Sequence, residues 1–90
     1  MLKLLIADDE INEINALASF FGEYYKDRIE VVAQCRNGKE AIENGLQLKP
    51  DIAILDIQMP VNDGLSVARR LHEDDSRIII IMLTAYSLFN

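Results

Sequence analysis

The stretch Ile52-Ala53-Ile54-Leu55-Asp56 is an apolar run that ends on a carboxylate. The same arrangement opens the chain, where Leu4-Leu5-Ile6-Ala7 runs into Asp8-Asp9. A third run, Ile78 to Leu83, ends on Thr84. Short, nearly all-apolar runs fit strands covered on both faces. If these three are neighbouring parallel strands, their polar ends meet at one edge of the sheet. The result is a carboxylate pocket able to hold a divalent cation, with a hydroxyl beside it.

Working outward, strand and helix patterns alternate along the whole chain. Leu2 to Ala7 is the first strand. Ile11, Ile14, Ala18, Phe21 and Tyr25 follow at spacings of three and four, the face of an amphipathic helix. Ile29 to Cys35 is a second strand, and Asn37-Gly38 marks the turn after it. Lys39 to Lys49 predicts a second helix with Ala41, Ile42, Leu46 and Leu48 inward, closed by Pro50, which cannot continue a helix. Ile52 to Leu55 is the third strand. In the loop Met59-Pro60-Val61-Asn62-Asp63-Gly64, Asp63 is placed to cap a third helix. Leu65, Ala68 and Leu71 are expected as that helix's buried stripe, with His72 a surface or half-buried residue at its margin, before a fourth strand from Ile78 to Leu83. Such alternation predicts an α/β fold with right-handed crossovers and a parallel sheet.

The fourth run has no polar alternation and no edge-protecting charge or proline, so it reads as an interior strand flanked on both sides. Residues 85–90 read as the opening turn of another helix. The pattern therefore predicts either a further strand and helix that are missing, or a second chain covering this edge.

Ninety residues leave room for one core. Half the residues are apolar and 27% charged, a globular balance. The net charge of −6 and the lack of any Lys/Arg cluster argue against nucleic-acid or anionic-membrane binding by this segment. Cys35 is the only cysteine, which excludes an internal disulfide and fits a buried thiol. No stretch approaches the roughly 20 apolar residues of a membrane helix, and the N-terminus does not read as a signal peptide. A cytoplasmic location is expected.

Asp8, Asp9 and Asp56 carry the chemistry. Three carboxylates at one sheet edge repel one another, and a hard divalent cation relieves that repulsion. Parallel sheets bind ligands beyond the carboxyl ends of their strands, where these residues fall. Taken singly, each aspartate fits a plainer role equally well: Asp8 or Asp9 capping the first helix, Asp56 capping a turn.

At this point the chain resembles a receiver domain of a bacterial two-component response regulator. The resemblance is carried by Asp8-Asp9-Glu10, Asn37-Gly38-Lys39-Glu40-Ala41, Lys49-Pro50-Asp51, Asp56-Ile57-Gln58-Met59-Pro60 with Asp63-Gly64, and Leu83-Thr84-Ala85. It covers residues 1–90 as one receiver domain, incomplete at its C-terminus. It implies a flavodoxin-like, doubly wound sheet in strand order 2-1-3-4, an order the family is known for, with the fifth strand and last helix missing. It further implies that Asp56 accepts a phosphoryl group from a sensor histidine kinase. Asp8, Asp9 and the Gln58 backbone carbonyl would hold Mg²⁺ together with Asp56, and Thr84 would be the switch hydroxyl. An acyl phosphate on Asp56 adds about one negative charge to a pocket already near −3, so a cation makes transfer tolerable. The stretch from Thr84 to Ser87 with Phe89 resembles receivers attached to DNA-binding transcription regulators.

The chain also departs from the family pattern. The family's lysine and aromatic switch residue belong to a fifth strand, and neither Lys3, Lys26, Lys39 or Lys49 nor Tyr86 stands in their place. A phosphorylation-impaired fragment that pairs with a second copy through the fourth strand and the Leu88-Phe89 tail is therefore the alternative. An aspartate-nucleophile phosphatase ranks lower, because its general acid would fall at Gln58, which cannot donate a proton in that role. The expectation is a switch and not a turnover enzyme.

Overall fold

The computed structural model describes residues 1–83. Thr84, Tyr86 and the Leu88-Phe89 tail lie outside the described residues. Strands β1 (Leu2–Ala7), β2 (Ile29–Cys35), β3 (Ile52–Asp56) and β4 (Ile79–Leu83) alternate with helices α1 (Ile11–Tyr24), α2 (Gly38–Leu48) and α3 (Gly64–Asp74). The sheet is parallel in order β2-β1-β3-β4. This is the flavodoxin-like arrangement expected from the sequence.

The pleat sends alternate side chains to opposite faces, and both faces are covered. Leu5, Ala7, Ala53 and Leu55 pack with Ala41, Val67 and Leu71 of α2 and α3. Leu4, Ile6 and Ile54 pack with Ile14 of α1, flanked by Leu17, Ala18 and Phe21. The central strands are apolar on both sides for this reason. Cys35 is buried in the first of these cores, and burial pushes its thiol up to about 11. It is an inert packing group.

Helix ends follow their sequence signals. The Asn37 side chain accepts from the Glu40 N–H at 2.9 Å, and Glu40 accepts in turn from the Arg36 N–H at 3.0 Å. Asp63 accepts from the Ser66 N–H at 2.8 Å, as its position predicted. At the other end of α2, Lys49 adopts a left-handed φ of 51°, and the Lys3 ammonium donates to the Leu48 carbonyl at 2.8 Å.

Two sequence expectations differ from what the structure shows. His72 lies at the surface, as expected, but the buried stripe of α3 is Gly64, Val67 and Leu71, whereas Leu65 is 58% exposed. The cause is Gly64. A Cβ there would collide with the Asp56 carbonyl, so this position must face the sheet. The helical period then carries positions 67 and 71 inward and rotates Leu65 out. In α1, Ile11 is exposed at the first turn and Tyr25 falls past the helix end. As the strand order 2-1-3-4 expected from the sequence requires, β4 is the edge strand among the described residues, and its Ile79 and Ile81 are exposed, because α1 covers β1 and β2 and does not reach them.

This rotation of α3 has a measurable consequence. Val67→Ala should destabilise the fold by about 2 kcal/mol in urea unfolding, from lost burial plus a cavity. Leu65→Ala should change stability by no more than about 0.5 kcal/mol. Equal costs would mean that the helix presents a different face.

Candidate functional site

The site grows from the register of the two central strands. Ala7 pairs with Leu55, so the next residue on each strand, Asp8 and Asp56, leaves the sheet at the same level. The ladder continues one step further on either side. The Asp8 N–H donates to the Cys35 carbonyl at 3.0 Å, and the Ile57 N–H donates to the Leu83 carbonyl at 3.0 Å. The strand ends are therefore held firmly where the carboxylates emerge.

Asp8, Asp9 and Asp56 each place a carboxylate oxygen within 4.8 Å of the others. Asp8 is 5% exposed, Asp56 is partly buried and Asp9 faces solvent. The structure thus brings together the three aspartates singled out from the sequence. Local turn bonds aim two of them. Asp8 Oδ1 accepts from the Glu10 N–H at 2.9 Å, and Asp56 Oδ1 accepts from the Gln58 N–H at 3.3 Å. The plain capping role and the clustered role are thus not exclusive: short aspartate turns orient side chains that then converge.

The cluster floors a cleft of about 430 Å³, which is also lined by Glu10, Glu13, Gln58 and Leu83. Glu10 and Glu13 were not among the site residues expected from the sequence. A signal was available: Glu13 lies four residues beyond Asp9, within the first turn of α1. None of the lining residues is cationic among those described.

The electrostatic strain falls on Asp56. Burial raises its carboxyl above the ordinary value of 3.8, and the charges of Asp8 and Asp9 raise it further. The Gln58 N–H opposes them by favouring the ionised form. Crowded hard oxygen donors with this frustration fit a divalent cation, above all Mg²⁺ or Ca²⁺.

The loop that leaves Asp56 is pinned by its backbone. The Gly64 N–H donates to the Ile57 carbonyl at 2.9 Å, closing the loop back onto the strand. Pro60-Val61-Asn62 forms a tight three-residue turn in which the Asn62 N–H reaches the Pro60 carbonyl at 3.0 Å and Val61 takes a φ of 74°. The same carbonyl accepts from the Gly38 N–H at 3.2 Å, tying the start of α2 to this loop. A Cβ at Gly38 would collide with the Asn62 backbone, so the approach requires glycine. Among the described residues, no helix is long and apolar enough to cross a membrane.

With this geometry the comparisons agree. The family model for the response regulator receiver domain matches residues 4–88, and the chain belongs to that family. It is 34% identical over 86 residues to the transcriptional regulatory protein LnrK of Bacillus subtilis, covering 96% of this chain and 38% of that protein. The response regulator domain of Thermotoga maritima CheB superposes with a TM-score of 0.85 at 25% identity, over 94% of this chain and 61% of that one. CheY from Borrelia burgdorferi, solved in a CheX-CheY-BeF3-Mg complex, is similar with a TM-score of 0.79 at 26% identity, over 94% of this chain and 63% of the matched one. The chain spans between a fifth and about two fifths of the length of the first curated relatives it matches.

The strain on Asp56 has a definite sign. A carboxyl raised in the folded state binds protons more tightly there than in the unfolded chain, so stability falls as pH rises through its titration. Above the folded value the cost is fully present, and it vanishes as pH falls below 3.8. Asp56→Asn, which keeps an acceptor for the Gln58 N–H, should therefore be more stable than the parent at neutral pH without divalent cations. The difference should close on acidification; urea unfolding from pH 7 down to pH 3 would show it, and a less stable variant at pH 7 would contradict the assignment.

Proposed function

We propose that this chain is a phosphoacceptor switch of two-component signalling, in which Asp56 takes a phosphoryl group from a sensor histidine kinase. The observation that carries this is the convergence of Asp8, Asp9 and Asp56 at the carboxyl edge of β1 and β3, where burial and its acidic neighbours raise the Asp56 carboxyl. Membership of the receiver family supports the same role. So does the similarity to a receiver solved with beryllofluoride and magnesium.

Asp8, Asp9, Asp56 and the Gln58 backbone carbonyl are proposed to hold Mg²⁺. When bound, the cation supplies charge neutralisation for an incoming phosphoryl group. The rest falls to the chain itself. The Gln58 N–H fixes one Asp56 oxygen and leaves the other to attack phosphorus. As the new O–P bond forms, the P–N bond of the phosphohistidine breaks and its electron pair returns to the imidazole. Burial and repulsion make Asp56 more avid for a proton, and the same basicity favours its attack on phosphorus. Transfer then depends on positioning, with little need of a general base. Thr84 is proposed as the hydroxyl that answers the new charge. This makes the chain a regulatory acceptor in the cytoplasm, with transcription regulation as the proposed output of its longer relatives' kind. DNA contact would lie outside this acidic segment.

Pairing with a second copy has a narrower basis: Ile79 is 55% and Ile81 44% exposed on the β4 edge. Sedimentation equilibrium that shows only monomer at high concentration would remove it.

For the acceptor role, incubation with acetyl phosphate and Mg²⁺ followed by intact-mass analysis should add one phosphoryl group to the parent and none to Asp56→Asn. Equal modification of the two would move the acceptor elsewhere, and no modification of the parent would refute the proposal. Asp9→Asn should lower the rate by at least tenfold, since it removes a proposed cation ligand.

A further inference from the structure

We propose that Glu13, together with Glu10, selects among phosphoryl donors by charge, disfavouring small dianions at the mouth of the cleft. This inference rests on Asp56 being the acceptor. Five carboxylates line one cleft, but only Asp8, Asp9 and Asp56 belong to the tight cluster. Glu10 and Glu13 line the same cleft, are exposed, and stand apart from that three-carboxylate group.

Their placement is fixed by the start of α1. Glu10 occupies the N-cap position, yet its side chain makes no capping bond. Its N–H is already taken by Asp8, and its carbonyl accepts from the Glu13 N–H at 3.0 Å. The backbone thus locks the two acids to the same strand end that presents Asp8. An acid in the first turn also favours the helix dipole, which accounts for a small gain in stability. It does not account for both side chains lining the approach to Asp56.

The chemistry follows from the charge of the donor. Acetyl phosphate is a dianion near neutral pH, whereas phosphoramidate takes up a proton on nitrogen and is a monoanion. In the first case an Asp56 oxygen bonds to phosphorus as the P–O bond breaks, and acetate leaves with the electron pair. In the second the P–N bond breaks and ammonia leaves with the proton already on nitrogen. Both reactions yield the same acyl phosphate, so the outer carboxylates act on approach and not on the product. Exposed charges act weakly and are screened by salt. The expected effect of one such charge is roughly two- to fivefold.

The test runs both donors in parallel on the parent, E13Q and E13K, with Mg²⁺ saturating for each, and follows phosphorylation of Asp56 by intact mass. E13Q should speed labelling by acetyl phosphate about two- to fivefold and labelling by phosphoramidate less, so the ratio of the two rates rises. E13K should raise the ratio further. In about 0.5 M salt, where screening acts within a few ångströms, the ratios should converge. As a second readout, calorimetric titration should show weaker Mg²⁺ binding by E13Q, by a similar factor. If both donors label the parent and the ratio does not change in E13Q and E13K, donor selection is overturned while Asp56 stands as the acceptor. If neither donor labels the parent, the acceptor role itself falls, and this inference with it.

Discussion

Ala7 lies opposite Leu55 in the parallel register of the two central strands, and the rest of the site depends on that pairing. It brings Asp8 and Asp56 out of the sheet side by side, with Asp9 one residue further along. A slip of one residue would reverse which face each side chain occupies, burying the wrong residues and separating the carboxylates. The register is secured by two apolar cores that meet through the sheet. Leu5, Ala7, Ala53 and Leu55 feed one, and Leu4, Ile6 and Ile54 feed the other. Stability of the core and convergence of the charges are thus one geometric fact seen from two sides.

The second constraint is how closely the following elements return to the site. Gly64 begins α3 against the Asp56 carbonyl, and Gly38 begins α2 against the loop at Asn62. Both approaches leave no room for a Cβ. They place two helix starts near the end of β3, and the shared Pro60 carbonyl joins α2 to the loop that leaves Asp56. A change of charge at Asp56 therefore acts on a loop with few ways to relax. Val61, in a left-handed conformation that β-branched residues rarely adopt, shows the tension held there.

Much of this was legible in the sequence, for physical reasons. Apolar runs ending on aspartate fixed the central strands, their parallel sense and the convergence of Asp8, Asp9 and Asp56. The cap at Asp63 followed from side-chain chemistry that acts over three residues. The face of α3 was less legible, because Leu65 and Val67 are equally apolar and only the contact between Gly64 and Asp56 decides between them. Glu10 and Glu13 were hidden for a similar reason: acids at a helix start are ordinary, and only the folded cleft shows what they line. By contrast, the exposed Ile79 and Ile81 were legible, because an all-apolar strand without an edge-protecting charge or proline, placed last in the order 2-1-3-4, leaves apolar side chains uncovered.

The three aspartates are proposed to form a cation-dependent acceptor centre, relieved of repulsion by a bound divalent ion. Thermal unfolding of the parent and of Asp9→Asn across a Mg²⁺ titration tests it most directly. A ligand that binds only the folded state at ten times its dissociation constant adds about 1.4 kcal/mol, which for a domain of this size is a rise of several degrees. A saturable rise of that order is expected for the parent and little or none for Asp9→Asn at the same concentrations. A flat titration for the parent, or the same rise in both proteins, would contradict it.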